Sequence, residues 1–306
     1  MRCSIAVTTY NGSKYIIELL NSIKNQTRMP DEVIIVDDVS TDDTVSIVKE
    51  FVEKNCLVNW NVIRNECNIG WKKNFRKALS LCTGNIIFFC DQDDIWHKDK
   101  IDVMCNVFEQ NSNVKVLVSN YVLLSEGCKQ IRAQKESDRN DGLLEWLHGN
   151  KRIGTISRPG CTCAFTKEIA ELMGSFDNEN CAHDHVVYNL GLITDSLYII
   201  NRQLMDYRRH TCNASTYKMK FGKERKALEA KERVDVCDIL LKYCQKINDT
   251  QMEKSIQLRR NFYSTRMKIF NKGNLLNMLG FIILNVKQYW SIRDICVDLI
   301  AMVKSK

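Results

Sequence analysis

Asp91, Asp93 and Asp94 fall within four residues at the end of the apolar run Asn85-Ile86-Ile87-Phe88-Phe89-Cys90. Carboxylates that close repel one another, and burying even one costs several kcal/mol unless a counter-charge is present. Two readings of Asp91-Gln92-Asp93-Asp94 stand side by side. One is a surface turn whose aspartates cap a helix. The other is a site for Mg²⁺ or Mn²⁺, which bind through one or two carboxylates together with substrate phosphates. The core-like run before the cluster, and Ile95-Trp96 directly after it, favour the second reading.

Three further clusters carry chemistry. Asp37-Asp38 ends the apolar run Val33-Ile34-Ile35-Val36. The pair either caps the next helix or accepts hydrogen bonds from a ribose or base. Asp184 lies between His183 and His185 at the start of an apolar helix, where the helix dipole favours its ionised form. It reads as an N-cap or as a general base. Tyr207-Arg208-Arg209-His210 places two guanidinium groups and an imidazole together; a lone histidine is more often structural than a ligand.

The elements that must position these groups alternate strand and helix. Strands are expected at 3–9, 33–36, 60–64 and 85–90, and helices at 14–26, 71–82 and from about Ser40 or Thr41 to 54. Unbroken apolar strands of this kind belong in a parallel sheet covered on both faces. Ligands of such sheets bind beyond the carboxyl ends of the strands. Thr8-Thr9-Tyr10, Asp37-Asp38 and the 91–94 segment should therefore share one rim. A helix at 97–110, a strand at 114–124, a loop at 125–141, a short helix at 142–149, a strand at 160–165, a helix at 167–173 and a helix from 184 to 192 are expected next. Two short strands at 197–200 and 203–208 precede a tail that is helical from 217, in about three segments.

Composition sets limits. The chain has 306 residues and a net charge of +7, but residues 217–306 hold 19 basic against 9 acidic side chains, so the basicity belongs to the tail. The cysteines are scattered through apolar runs with no CxxC pair, the closest spacing being Cys161-Thr162-Cys163. Reduced thiols in a cytoplasm are expected, with no zinc site and no signal peptide. Neither GxGxxG nor GxxxxGK[ST] occurs, which argues against dinucleotide and P-loop readings. The apolar stretch at 275–290 is interrupted by Asn277, Asn285 and Lys287 and falls short of the ~20 residues needed to span a bilayer. Two partners for the tail stay open: the catalytic domain or a second copy, and an anionic lipid surface. No nucleic-acid module is recognisable.

Four segments together (Ser4–Gly12, Val36–Thr44, Asn68-Ile69-Gly70 and Asp91–Trp96) resemble the family-2 inverting glycosyltransferases, most closely the bacterial polysaccharide and O-antigen branch with its rhamnosyltransferases. The order and spacing match across residues 1–110. The resemblance implies a GT-A fold, an α/β class with a Rossmann-like, mixed and mainly parallel sheet and helices on both faces, here followed by a C-terminal helical region. It implies a catalytic domain at 1–216, divided into a nucleotide-sugar half (1–110) and an acceptor half (111–216), and a basic helical region at 217–306. The implied donor contacts are Thr8, Tyr10, Asp37, Asp38, Asp91, Asp93 and Arg209. Asp93 and His210 would hold Mn²⁺ or Mg²⁺, Asp184 would be the base, and Cys161, Thr162, His183 and His185 would meet the acceptor. Within the 91–94 segment, Asp94 is expected only to start a helix. One departure is Val39, where the family usually has glycine; a β-branched residue disfavours φ > 0, so a differently shaped turn is expected.

The implied activity is inverting, metal-dependent transfer of a hexosyl or deoxyhexosyl group from a dTDP-rhamnose or UDP-sugar donor to a glycan acceptor. That acceptor would be carried on a polyprenyl diphosphate in cell-surface polysaccharide synthesis (capsule or O-antigen), with the enzyme cytoplasmic or peripheral on the inner face of the plasma membrane. A homodimer through the C-terminal helices is the other partner considered. The alternatives are a sugar nucleotidyltransferase, which would want a Gly-rich basic loop after the first strand, and an inactive sugar-nucleotide-binding scaffold.

Overall fold

The computed structural model describes residues 1–125, 139–149, 152–176, 178–179, 181–210 and 221–304. Four parallel strands, β1 (Cys3–Thr9), β2 (Glu32–Asp37), β3 (Trp60–Arg64) and β4 (Ile86–Asp91), form one half of a mixed nine-stranded sheet in the order β3-β2-β1-β4. Beyond β4 come β8 (Cys163–Thr166), β6 (Val116–Ser125), β9 (Leu197–Arg209) and β5 (Ile95–Trp96), with β7 (Leu144–Trp146) also on β9. β8 runs antiparallel to β4 and β6, whereas β6 and β9 are parallel.

Alternation along the strands divides the core in two. Cys3, Ile5, Val7, Ile35, Phe88 and Cys90 face α1 (Ile16–Lys24), α2 (Thr44–Lys54) and α4 (Lys100–Gln110). Ala6, Ile34, Val36, Ile87 and Phe89 face α3 (Trp71–Leu81), α5 (Lys167–Phe176) and α6 (His183–Ile193). Strands with both faces buried must be apolar throughout, which is why they read so clearly in the sequence.

The C-terminal part consists of α7 (Lys223–Ile247), α8 (Thr250–Lys272), α9 (Leu275–Asn285) and α10 (Ile292–Val303). Val236, Cys237, Leu240, Phe262 and Phe270 join the α6 side of the core, so the tail helices pack on the sheet domain. Asn248, at φ 57°, turns α7 into α8, and Asp249 caps α8 through Met252 N at 2.9 Å. Arg266 of α8 donates to Asp298 of α10 at 2.6 Å, and Tyr289 Oη donates to the same carboxylate at 2.9 Å. No helix among the described residues is long and apolar enough to cross a membrane.

Several local expectations need correction. Residues 144–146, expected in a helix, pair antiparallel with β9, because ladder hydrogen bonds outweigh a weak local helix preference. Gly160–Thr162 is a 3₁₀ turn, and the strand begins at Cys163. The two strands expected at 197–208 are one long β9 with irregular register against β6. The expected helix at 97–110 starts at Lys100, and Asp43 stands at the N-cap of α2. Val39 adopts φ 66°, so it takes the left-handed turn conformation that favours glycine, despite its branched side chain. Most of the loop expected at 125–141, and the proposed boundary near 216, lie outside the described residues.

The Arg266–Asp298 pair is fully buried on the carboxylate side. Asp298→Ala leaves a buried guanidinium without its counter-charge and is expected to cost about 3–5 kcal/mol in urea denaturation. A loss below about 1 kcal/mol would mean the pair behaves as a solvated one.

Candidate active site

The carboxyl ends of β1, β2 and β4 meet at one rim, as their parallel register requires. Gln92 ties two of them together: Tyr10 N donates to its Oε1 at 2.8 Å, and its Nε2 donates to Tyr10 O at 3.0 Å. A Cβ on Gly12 would lie 2.2 Å from Gln92 Oε1, so a side chain there would push the Gln92 amide off Tyr10. The same loop is pinned to the one after β2, through Asn11 N to Ser40 Oγ (2.9 Å) and Gly12 N to Thr44 Oγ1 (2.8 Å).

The Asp37–Asp38 pair is buried and already bonded. Asp37 accepts from Thr9 Oγ1 at 2.8 Å and Ser40 N at 2.8 Å. Asp38 accepts from Asn65 Nδ2 (2.8 Å), Ile69 N (2.9 Å) and Gly70 N (2.8 Å). Its carboxylate thereby shapes the Asn68-Ile69-Gly70 loop. Thr8 is nearly buried at the β1 end, while Tyr10 is exposed on the rim.

Antiparallel pairing of β5 with β9 brings the distant acidic and basic clusters together. Ile95 opposes Asp206, and continuing that register sets Arg208 opposite Asp93. Arg208 N donates to Asp94 Oδ1 at 3.1 Å, and its Nε donates to Asp93 O at 2.8 Å. Its guanidinium lies over the Tyr15 ring and reaches Glu18 Oε2. His210 stacks on Tyr15 at 4.7 Å between centroids and places Nε2 2.8 Å from Asp93 Oδ2. His97 clamps the pairing further on, with Nδ1 3.0 Å from Gln203 O and Nε2 2.8 Å from Asp206 Oδ1; the Asp206 bond raises its pKa.

The cluster is electrostatically loaded. Burial raises the Asp91 carboxyl well above its ordinary range, and Asp94, Asp93 and Asp184 add to this. Asp94 is fully buried, and desolvation followed by repulsion from Asp93 lifts it to about 7. Burial also raises Asp93, against the hydrogen bond to His210. Lys100 is the buried counter-charge: its ammonium donates to Cys161 O at 2.7 Å and sits 4.2 Å over Trp96, with burial lowering its pKa. Asp94 therefore belongs to this buried network, six residues before the helix it was expected to start.

Two ligand sets could be considered for a divalent ion. Asp91, Asp94 and Cys161 have ligand atoms within 4.8 Å of one another. Yet Asp94 is sealed from solvent and burial holds the Cys161 thiol protonated, which suits hard, phosphate-bound cations poorly. Asp93 and His210 offer a carboxylate oxygen and an imidazole nitrogen already converging at 2.8 Å, each side chain about one-tenth exposed. This second set fits Mn²⁺ or Mg²⁺ better.

Asp184 sits in the first turn of α6, whose start is held by Arg76 Nη2 donating to Cys181 O at 3.0 Å. Gly160 packs against it: an added Cβ would lie 2.8 Å from Asp184 Cβ and 2.9 Å from Oδ2. The neighbours expected to share its site are placed differently. The His183 ring is buried among Phe75 (3.8 Å), Phe89 (4.5 Å) and Trp71 (5.7 Å). Cys161 and Thr162 are also buried, and Thr162 Oγ1 donates to Pro159 O at 2.7 Å. His185 is half-buried and lines a cavity toward the C-terminal helices. Arg209 is exposed over Tyr207, because strand alternation sends 208 and 209 to opposite faces. The segment beyond His210, from Thr211, lies outside the described residues.

Sequence reasoning missed Lys100, Gln92 and Tyr15 as members of this network, and of the two arginines offered for the diphosphate it kept Arg209, whereas Arg208 is the one inside. The Lys98-Asp99-Lys100 run reads as a solvated helix start, so nothing in it signals a buried ammonium. The parity of β9 would have separated Arg208 from Arg209 had its register been known.

Comparison with known proteins adds independent findings. Residues 4–169 match the model of Glycosyl transferase family 2. The chain is 32% identical over 222 residues to dTDP-rhamnosyl transferase RfbG of Shigella flexneri, covering 68% of this chain and 72% of that protein. Among solved structures, Staphylococcus aureus TarS 1–349 in complex with UDP-GlcNAc superposes with a TM-score of 0.58 at 20% identity, covering 91% of this chain and 83% of the other. A mannosyltransferase, PcManGT from Pyrobaculum calidifontis, in complex with GDP-Man and Mn²⁺, gives 0.53 at 18% identity, covering 99% and 86%. These two are likenesses of fold; with the observed sheet they bear out the expected GT-A architecture.

The contact between Gly160 and Asp184 can be tested directly. Gly160→Ala is expected to lower stability by about 1–3 kcal/mol in thermal or urea unfolding, as overpacking does. Unchanged stability would show that Asp184 swings freely away.

Proposed function

Because the chain belongs to glycosyl transferase family 2, we propose that it transfers a sugar, with inversion, from a nucleotide-sugar donor to a glycan acceptor carried on a lipid. The reading takes residues 1–216 as the catalytic unit, with the donor bound in the first half. Similarity to a protein named as a dTDP-rhamnosyl transferase supports a dTDP-sugar such as dTDP-rhamnose, with a UDP-sugar as the second candidate. The observation that carries the proposal is the convergence of Asp93 and His210 at the strand-end rim, with Asp184 close enough to raise the pKa of Asp91.

In this reading Thr8 and Tyr10 flank the nucleoside. Asp37 and Asp38 hold the loops that shape its pocket, and Asp91 faces the donor sugar. Asp93 and His210 hold a divalent ion, Mn²⁺ or Mg²⁺. When bound, such an ion neutralises charge on the departing nucleoside diphosphate. Arg208 fixes Asp93 through its carbonyl and Asp94 through the Arg208 amide, so it is a positioning residue.

Asp184 accepts the proton of the acceptor hydroxyl as that oxygen forms its bond to the anomeric carbon. The bond from that carbon to the diphosphate oxygen breaks on the opposite face, and the diphosphate leaves with the electron pair. Burial of the acidic cluster serves this step, since charges act more strongly where water is excluded. The second class of reading, a sugar-nucleotide-binding scaffold, makes the opposite demand: Asp184 should be dispensable.

Asp184→Asn keeps the shape and removes the base. Release of nucleoside diphosphate coupled to transfer is expected to fall by about 10²–10⁴-fold. Thermal stabilisation by the donor should persist. Transfer at the wild-type rate would remove Asp184 from the base role.

A further inference from the structure

Helix α9 and the turn after it carry no charged residue from Leu275 to Val286. Met278 and Phe281 are buried and hold the helix on the core. On its outer side Leu276, Leu279 and Ile283 recur at i, i+3 and i+7, with Leu284 beside them. Leu276 is 77% exposed, Ile283 75% and Leu284 84%, and Ile292 at the start of α10 is 80% exposed. A surface helix ordinarily turns charged side chains to water, whereas this one turns large aliphatic ones outward, with Asn277 in its first turn exposed beside them.

The charge around the face identifies what covers it. Lys272, Lys287, Arg293 and Lys304 are exposed between residues 272 and 304. The carboxylates of that stretch are Asp294 and Asp298. Asp298 is buried with Arg266 and Tyr289, and Asp294 accepts from Ser291 N at 3.1 Å and Ser291 Oγ at 2.9 Å. A second copy of the same face would thus meet these cations with like charge. An anionic lipid surface would match both the leucines and the lysines.

We propose that α9 and the start of α10 lie on an anionic bilayer, with Leu276, Ile283, Leu284 and Ile292 at the boundary of headgroups and acyl chains. The inference rests on the reading of a lipid-carried acceptor and gives it a location. A cavity of about 340 Å³ is lined by His185, Arg233, Arg259, Glu229 and Glu232 together with Trp290 and Val297, and so lies between the start of α6 and the C-terminal helices.

The test uses the full chain and the variant Leu276→Ser/Ile283→Ser/Leu284→Ser. Both are sedimented with vesicles of phosphatidylglycerol and phosphatidylcholine, and with phosphatidylcholine alone. Wild type is expected to pellet with the anionic vesicles, and the variant, folded and with unchanged melting, to bind at least about 10-fold more weakly. Raising the salt to about 0.5 M should weaken wild-type binding as well. Failure of wild type to pellet, equal pelleting of the variant, or a wild-type dimer that the variant disperses in light scattering each overturns the proposal. Donor-induced thermal stabilisation on the same samples separates the two readings: its loss counts against the donor site and leaves the membrane face standing.

Discussion

Three carboxylates at the end of one core strand cannot be taken out of water without compensation, and much of the local structure follows from that constraint. Lys100 is drawn fully into the protein beneath them, and Arg208 and His210 arrive from β9. The two-residue strand β5 is a small element with a large consequence, because its pairing sets Arg208 against Asp93. Buried charge of this kind rarely improves stability, since desolvation consumes most of the Coulomb gain. Its value lies in a polarised rim at which one carboxylate and one imidazole face each other.

The strands and the rim were legible because their physics is local. Val33–Val36 and Ile86–Cys90 are apolar without interruption, and a strand buried on both faces has no other way to read. Asp93, His210 and Asp184 were singled out through the resemblance to family-2 glycosyltransferases, because their meeting rests on the β5–β9 pairing and the start of α6. What stayed hidden depends on pairing between distant segments. Residues 144–146 look helical in isolation and become a strand only when β9 lies alongside. Asp94 resembles a helix-starting aspartate until Arg208 N is seen on its carboxylate. His183 sits beside the candidate base in sequence, but the helix turns its ring into the Phe75–Phe89–Trp71 cage. Val39 shows the reverse: the turn is kept and the residue bears the strain.

The tail helices extend the same economy of position. They close the α6 side of the core, leave a cavity at His185, and keep an uncharged helix face outward. Charge in the chain is thereby separated by task, with carboxylates gathered at the rim and exposed cations around the apolar face of α9. The Arg266–Asp298–Tyr289 network fixes α10 to α8.

The central claim is that Asp93, paired with His210, is where a divalent ion meets the donor diphosphate. It is tested most directly by thermal unfolding with dTDP- and UDP-sugars, with and without Mn²⁺, for wild type and Asp93→Ala. The expected result is donor stabilisation of wild type that Mn²⁺ deepens, by roughly 2–3 kcal/mol at a hundredfold excess of ligand over its dissociation constant, and that Asp93→Ala loses in its metal-dependent part. Equal metal-dependent stabilisation of wild type and Asp93→Ala would contradict the assignment.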